Sequence, residues 1–460
     1  MSAEQHQHGA AESKAYRLGG GGVWDNAWKV MAVIAAVGIV GASVGALSDP
    51  DRFPFSYLFA FSVAMTLGLG GLFFVLVTFV TSAGWGVTVR RTAEFVTAGI
   101  PVLALLVLPV LASYQSLYEW SHVSHDDHGA QDANGAEHGD NAVDELLGTP
   151  SAHAQAEAHG KGGASEDAKP AHTPMEEQLH HDLLAYKTDT WLKTAFWFVR
   201  SIAYVAIWIF LAMVYFRWST KQDETKDPGL TVKMQKLAPV GIILFGLTLT
   251  FAGVDWIMSM EPTWYSTIYG VYLFAGSAMA ILALLIVVTL SMHEAGLLGD
   301  AVNVEHYHDL GKLMFGFVCF WAYVAFSQWM LIWYASIPEE TTYYHRRWDS
   351  DGWQALSMFL ILGHFVAPFL YLISRVPKRK LGMLKAGAAW LLFMHVVDMY
   401  WFVMPYAPGA GFSLHWLDVA CLFAVVGVFL SVVFFVMRKY PLVPVGDPRF
   451  ARALHHHQTH

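Results

Sequence analysis

The stretch PFSYLFAFSVAMTLGLGGLFFVLVTFV, residues 54–80, lies between polar breaks and contains no charged side chain. The hydrocarbon core of a bilayer is about 30 Å thick, and a helix needs roughly 20 residues to cross it. The stretch is long enough and apolar enough for that purpose. It therefore predicts a transmembrane helix.

Nine other runs in the chain have a similar length and composition. The 460 residues are 55% apolar and only 14% charged, whereas an average soluble domain is about 25% charged. This composition excludes a water-soluble globule. We expect an all-α integral membrane protein with about ten transmembrane helices in two bundles. The predicted spans are 27–48, 54–80, 93–118, 191–216, 234–260, 264–292, 306–335, 352–375, 384–404 and 414–438.

The basic residues predict the orientation of these helices. Of the 28 Lys and Arg residues, 18 fall in the two tails and in the loops that follow even-numbered spans. Because short loops rich in Lys and Arg stay in the cytoplasm, we expect both tails, 1–26 and 439–460, to be cytoplasmic. The polar N-terminus lacks a signal-peptide pattern, so the first span is expected to be retained.

A hydrophilic segment, 119–190, separates the transmembrane parts 27–118 and 191–438. It is rich in Ala, Gly, His, Asp and Glu, so it has too little apolar surface to offset the entropy of folding. We expect a disordered loop on the periplasmic side. Its nine histidines make metal binding an alternative, as does the run His455-His456-His457, but irregular spacing favours a solvated linker.

The cysteine count limits the cofactors of this chain. Only Cys319 and Cys421 occur, both in apolar runs. This excludes a cysteine-ligated iron–sulfur cluster and a CxxCH haem attachment. The net charge of −9 arises largely from one hydrophilic segment, so nucleic acid is not an expected partner.

Ionisable side chains within or beside the spans are the candidate functional residues. A charged residue at the bilayer centre costs at least about 2.5–3.5 kcal/mol, so each requires an explanation. Histidine with a nearby carboxylate suits a proton pathway or an acceptor for a quinol hydroxyl. The candidates are Arg200, Asp255, His308, Asp309, Lys312, His364, His395, Asp398, His415 and Asp418.

Two pairs among them share a three-residue spacing, His395 with Asp398 and His415 with Asp418. Residues at i and i+3 lie on one helix face, with Cβ atoms about 5–6 Å apart. Each pair is therefore a candidate to pass a proton, or alternatively to hold neighbouring helices together.

Two further combinations come from different spans. Arg200 and Asp255 are expected to form a buried ion pair, which could fix helix packing, bind a quinone carbonyl or gate a proton exit. His364 and His395 also raise the alternative of bis-histidine haem b ligation. Asp398 argues against that alternative, because it offers His395 a competing partner.

Three segments carry a resemblance to a known family: DWIMSMEPTWYSTIYGVYLFAG (255–276), HDLGKLMFGFVCFWAYVAFSQWMLIWYASIPEE (308–340) and HVVDMYWFVMPY (395–406). Together they resemble the F subunit of bacterial alternative complex III. That family is related to the NrfD-like, polysulfide-reductase-type membrane subunits. The similarity covers nearly all ten spans, although the long His-rich insert departs from the family pattern.

The resemblance implies a bacterial inner-membrane subunit of a respiratory quinol:electron-acceptor oxidoreductase. Such a subunit holds no redox cofactor itself, while binding of quinol or quinone stays open. The implied partners are a homologous quinol-binding C subunit, an iron–sulfur B subunit and c-type haem subunits, with a terminal oxidase as a further candidate. The implied proton path uses Arg200 and Asp255 in the outer half, His364, His395 and Asp398 in the middle, and His308, Asp309 and Lys312 at the inner entry.

Two functions from other classes remain open. Polar residues at mid-depth in many helices also suit a proton-coupled secondary transporter, although two halves with matching broken helices are not evident. A purely structural membrane anchor is the second alternative. Co-purification with haem-bearing partners distinguishes the transporter from the other two.

Overall fold

The computed structural model describes residues 16–19, 21–122, 183–409 and 411–456. Helix accounts for 81% of these residues, and no strand occurs among them. Ten of the described helices are long and apolar enough to cross a membrane. The chain is therefore an all-α, multi-pass membrane protein, as the hydrophobic runs predict.

The ten helices correspond one to one to the predicted spans. Their ends differ from the predicted ones by up to nine residues, as at Thr225, because polar residues that form helix well continue the fourth helix beyond its apolar run. The helices are α1 (Val23–Ser48), α2 (Phe53–Val80), α3 (Val87–Ala112), α4 (Thr194–Thr225), α5 (Pro228–Met260), α6 (Tyr269–Glu294), α7 (Val304–Ala335), α8 (Gly352–Leu372), α9 (Leu381–Tyr406) and α10 (Trp416–Met437).

The helices form two bundles. In the first, α2 to α5 each pack on the next, and α5 returns to α2; α6 to α9 form the second in the same way. The bundles meet where α2 contacts α6 and α9, and where α5 contacts α6. Helix α10 packs on α2 and α3, and α1 lies against α10.

Helices α2 and α6 form the centre of the molecule, and nearly all of their residues are buried. The two helices are in close contact at Gly70, where a Cβ atom would lie only 2.5 Å from the carbonyl oxygen of Ser277. Only glycine fits there. The Ser277 hydroxyl also donates to the carbonyl of Thr66 at 2.6 Å. This contact fixes the position of Thr66 and of the neighbouring Gly276.

Both described ends of the predicted disordered loop pack against the bundle. Trp120 is buried within a single 3₁₀ turn, Glu119–His122. A short helix at 183–189 buries Leu184, and Lys187 donates to the carbonyl of Pro262. The remainder of the predicted loop, 123–182, lies outside the described residues.

The segment after α10 folds back onto the bundle. Leu442 donates its N–H to the carbonyl of Tyr16 at 2.8 Å, and a short helix spans Phe450–Leu454. The predicted C-terminal tail is thus packed as far as His456, the last described residue. We refer to this end of the bundle as the C-terminal side and to the other end as the opposite side.

Candidate functional site

Asp398 on α9 is completely buried. Its Oδ2 accepts a hydrogen bond from Trp321 Nε1 at 3.0 Å, and its Oδ1 accepts one from the Tyr272 hydroxyl at 3.2 Å. Among the buried carboxylates that the structure describes, it is the one without an ion pair. Because no cation offsets its desolvation when it ionises, this carboxyl is suited to bind and release a proton.

His395 lies nearly one turn before Asp398 on the same helix and is also buried. The two side chains do not hydrogen-bond to each other; instead His395 Nε2 lies 2.8 Å from Thr66 Oγ1 on α2. The Thr66 hydroxyl donates its hydrogen to the carbonyl of Ser62 at 2.7 Å. A neutral His395 therefore donates from Nε2, which leaves the lone pair on Nδ1. That Nδ1 atom has no hydrogen-bond partner within the described part of the chain.

Asp398 and His395 meet across Gly276 on α6. A Cβ atom at Gly276 would lie 3.4 Å from Asp398 Oδ2 and 3.5 Å from His395 Nδ1. Both atoms accept hydrogen bonds, so two acceptors face the same small space. A water molecule in that space would donate a hydrogen bond to each of them.

His364 joins this group from α8. Its imidazole stacks on the indole of Trp321 at 4.0 Å between centroids, and its Nε2 lies 3.1 Å from Met279 Sδ. It lies in a π-helical turn, Ile361–Val366, a distortion that is frequent at functional sites. The central polar cluster consists of Thr66, Tyr272, Trp321, His364, His395 and Asp398.

The cluster bears on the haem alternative. The Nε2 atoms of His364 and His395 have separate protein partners, Met279 and Thr66, and Trp321 covers one face of the His364 ring. Ligation of one iron through both Nε2 atoms would therefore require both of these contacts to break.

The Arg200–Asp255 pair forms as the sequence predicts. Arg200 Nε and Nη2 lie 2.8 and 2.9 Å from the two carboxylate oxygens. Trp191 and Tyr204 each donate to the same carboxylate at 2.8 Å. Arg200 also stacks on the Trp191 ring at 4.1 Å. Four donors, two of them on the Arg200 cation, therefore hold Asp255 in place, which favours a role in helix packing.

Asp418 also has a cationic partner, which is Arg52 and not His415. It accepts hydrogen bonds from Arg52 Nη2 at 2.7 Å and from the Ser56 hydroxyl at 2.6 Å. Burial lowers the pKa of Arg52, but the hydrogen bond and charge of Asp418 outweigh it and raise the pKa overall. His415 is the residue before α10; its backbone N–H donates to Asp418, and its ring accepts from Leu417 N–H. The predicted His415–Asp418 pair is therefore a helix cap.

The three candidates for the inner entry of the proton path lie on the C-terminal side: His308, Asp309 and Lys312. Asp309 pairs with Lys312 Nζ at 2.7 Å and with His456 Nε2 at 2.8 Å. His308 is buried nearby, and burial lowers the pKa of Lys378 in the adjacent connection, with Lys312 adding to the effect. Sequence reasoning missed His456, because a C-terminal histidine run gives no sign of where it docks.

No group of three or more metal-binding side chains is placed to hold a metal within the described ranges.

Sequence reasoning also missed a buried cation on the opposite side. Arg347 is 1% exposed and donates to the backbone carbonyls of Tyr343, Trp401 and Phe402. Its guanidinium lies 3.6 Å from the Tyr343 ring centroid. The sequence places Arg347 in a loop, and the only signal is the density of aromatic residues around it.

A second unpredicted network ties the C-terminal segment to the bundle. Arg90 bonds Glu94 and Asp447 at 2.8 Å, while Arg91 lies 2.6 Å from Asp223. The paired basic residues predict only a cytoplasmic loop, yet both side chains are fully buried. The network is a packing device that closes this end of the first bundle.

No protein-family model matches the chain, and no curated protein matches it. The function is therefore inferred from the residues above and from the resemblance of the three segments.

Proposed function

We propose that this chain is an integral membrane subunit of a respiratory quinol:electron-acceptor oxidoreductase of the alternative complex III type, and that its central polar cluster carries protons. The observation that supports a proton role is the unpaired carboxyl of Asp398, buried beside an unpartnered His395 Nδ1. Quinol oxidation releases both hydroxyl protons, so a membrane subunit beside a quinol site has protons to receive or replace.

The three groups that can exchange a proton lie close together in this cluster. Asp398 Oδ2 and His395 Nδ1 face the same space at Gly276, and Trp321 touches both Asp398 and His364. A proton could move between the carboxyl and imidazole through one bridging water. Imidazole and carboxyl groups exchange protons readily near neutral pH.

The remaining candidates have different roles in this proposal. Asp255 and Asp418 are each fixed by an arginine, so we assign them to helix packing. Asp309 stays the proposed inner entry, about 18 Å from Trp321 along α7. The C-terminal side is proposed to face the cytoplasm, because the basic residues predict that orientation.

The proposed partners follow from the resemblance. They are a homologous quinol-binding C subunit, an iron–sulfur B subunit and c-type haem subunits, with a terminal oxidase as a further candidate. In this proposal the redox centres belong to those partners, and this chain holds none. Purification in a mild detergent tests the assembly. Haem-bearing subunits should co-purify, whereas a lone protein whose fluorescence responds to a small solute would favour the transporter.

Replacing Asp398 with asparagine tests the proton role in the reconstituted complex. We expect lower proton release per quinol oxidised in Asp398→Asn, with unchanged haem content. Asp398→Glu is the matched control, because it keeps a titratable carboxyl and Gly276 leaves room for a longer side chain. Unchanged proton release in the asparagine variant would refute the proton role and leave the membrane anchor as the surviving function.

A further inference from the structure

An apolar groove lies on the outer surface of the second bundle, between the second half of α8 and the first half of α9. Its cavity volume is about 350 Å³. The residues that line it include Pro368, Tyr371, Leu372, Ala386, Gly387 and Trp390. Trp390 forms a fixed wall, because its indole N–H donates to the carbonyl of Gly363 at 2.7 Å.

The connection that joins the two walls is strongly basic. Residues 373–385 contain five Lys and Arg residues and no Asp or Glu. Lys378 donates to backbone carbonyls, and Arg379 and Lys385 bind carboxylates. Lys380, directly before α9, is exposed and has no carboxylate partner in the described part of the chain. Positive charge therefore lies at the mouth of the groove.

The wall itself offers little to a polar ligand. The Tyr371 hydroxyl already donates to the carbonyl of Met383 at 3.1 Å, and the Trp390 indole donates to Gly363. A quinone ring would find no free donor there. An anion at the mouth, with a hydrocarbon chain inside, matches both features.

We propose that this groove binds one anionic phospholipid, with its phosphate beside Lys380 and one acyl chain along α9. From Lys380 to Trp390 the helix rises about 15 Å, which is half the thickness of a bilayer core. One acyl chain in a single leaflet spans that distance. Basic pockets between transmembrane helices are known to recognise anionic headgroups. This proposal is independent of the proton path.

Native mass spectrometry of the delipidated full-length chain tests the proposal. The probes are phosphatidylglycerol and phosphatidylcholine with identical acyl chains. We expect one retained phosphatidylglycerol and little retained phosphatidylcholine. Lys380→Gln should weaken phosphatidylglycerol binding about fivefold, the usual effect of one cation near an anionic headgroup. Ala386→Phe should weaken binding of both lipids because it fills the groove.

Two matched variants control for non-specific effects. Lys221→Gln removes another exposed cation on the C-terminal side, and Ala206→Phe adds the same bulk to an exposed position on α4; both should bind phosphatidylglycerol like the wild type. Equal retention of the two lipids would overturn the proposal. Wild-type lipid binding by both Lys380→Gln and Ala386→Phe would also overturn it, as would preferential retention of an isoprenoid quinone.

Discussion

Replacing Asp255 or Asp398 with asparagine removes one completely buried carboxylate in each case, yet we expect very different losses of stability. At Asp255 the substitution leaves the Arg200 guanidinium buried without its counter-ion and points an amide N–H₂ at a donor. Breaking a buried ion pair in this way costs about 3–5 kcal/mol.

At Asp398 no cation is left behind. The asparagine oxygen can still accept from Trp321, and the Tyr272 hydroxyl can rotate to accept from the new amide N–H₂. Both hydrogen bonds are then kept, so the free energy of unfolding should change by no more than about 1 kcal/mol. The same chemical change should therefore separate a packing carboxylate from a proton-binding one.

The assay is unfolding of the full chain in detergent micelles, titrated with a denaturing detergent and followed by helical circular dichroism. Adding Arg200→Met to Asp255→Asn should recover at least about 2 kcal/mol, because the double variant removes the orphaned charge. Arg200→Met combined with Asp398→Asn should show simple additivity. Equal losses at Asp255 and Asp398 would refute the distinction between the two carboxylates.

Three further predictions concern the cluster and the C-terminal segment. Gly276→Ala should place a methyl group in the space beside Asp398 at ordinary contact distance, lowering proton release without loss of thermal stability; wild-type proton release would contradict this. Burial raises the pKa of Asp447, but the charges of neighbouring arginines lower it below its ordinary value. Its stabilising effect should thus be complete at neutral pH and lost as the pH falls below about 4. Limited proteolysis would detect this loss as faster cleavage of the C-terminal segment. The Asp447→Asn variant should be cleaved quickly at every pH. His456→Ala removes one of the two partners of Asp309 and the contact that joins the C-terminal segment to it, so hydrogen exchange of residues 440–456 should rise, and unchanged exchange would show that this contact contributes nothing.

The spans can be predicted from the sequence because each depends on local composition. A run such as 54–80 needs no knowledge of its neighbours to be assigned to the membrane. Helix ends are harder, as the extension of α4 to Thr225 shows, since polar helix formers continue the backbone hydrogen bonds outside the apolar run.

The partners of the candidate residues, unlike the spans, cannot be predicted from local composition. A spacing of three places His395 and Asp398 on one helix face, but it does not say what the other helices present there. One donor to Asp398, Trp321, is 77 residues away, and the partner of His395, Thr66, is 329 residues away. Only the packing of α2, α6, α7 and α9 brings these side chains together.

The same limit explains the His415–Asp418 prediction. The partner of Asp418 is Arg52, which lies 366 residues earlier, in what the sequence presents as a short polar loop. A long arginine side chain can reach inward from a loop, whereas sequence reasoning assigned such residues to the surface by their charge.

Three buried aspartates with arginine partners thus differ from Asp398, and energetics separates the two kinds. Asp255, Asp418 and Asp447 lie towards the ends of the bundle, each with an arginine partner from another segment. Such pairs fix where segments meet, and well-packed apolar side chains could replace them at little cost. Asp398 has no cationic partner in the described part of the chain and accepts hydrogen bonds only from the neutral donors Trp321 and Tyr272. In the proposed function this carboxyl exchanges a proton with His395, and proton exchange is the property that Asp398→Asn removes.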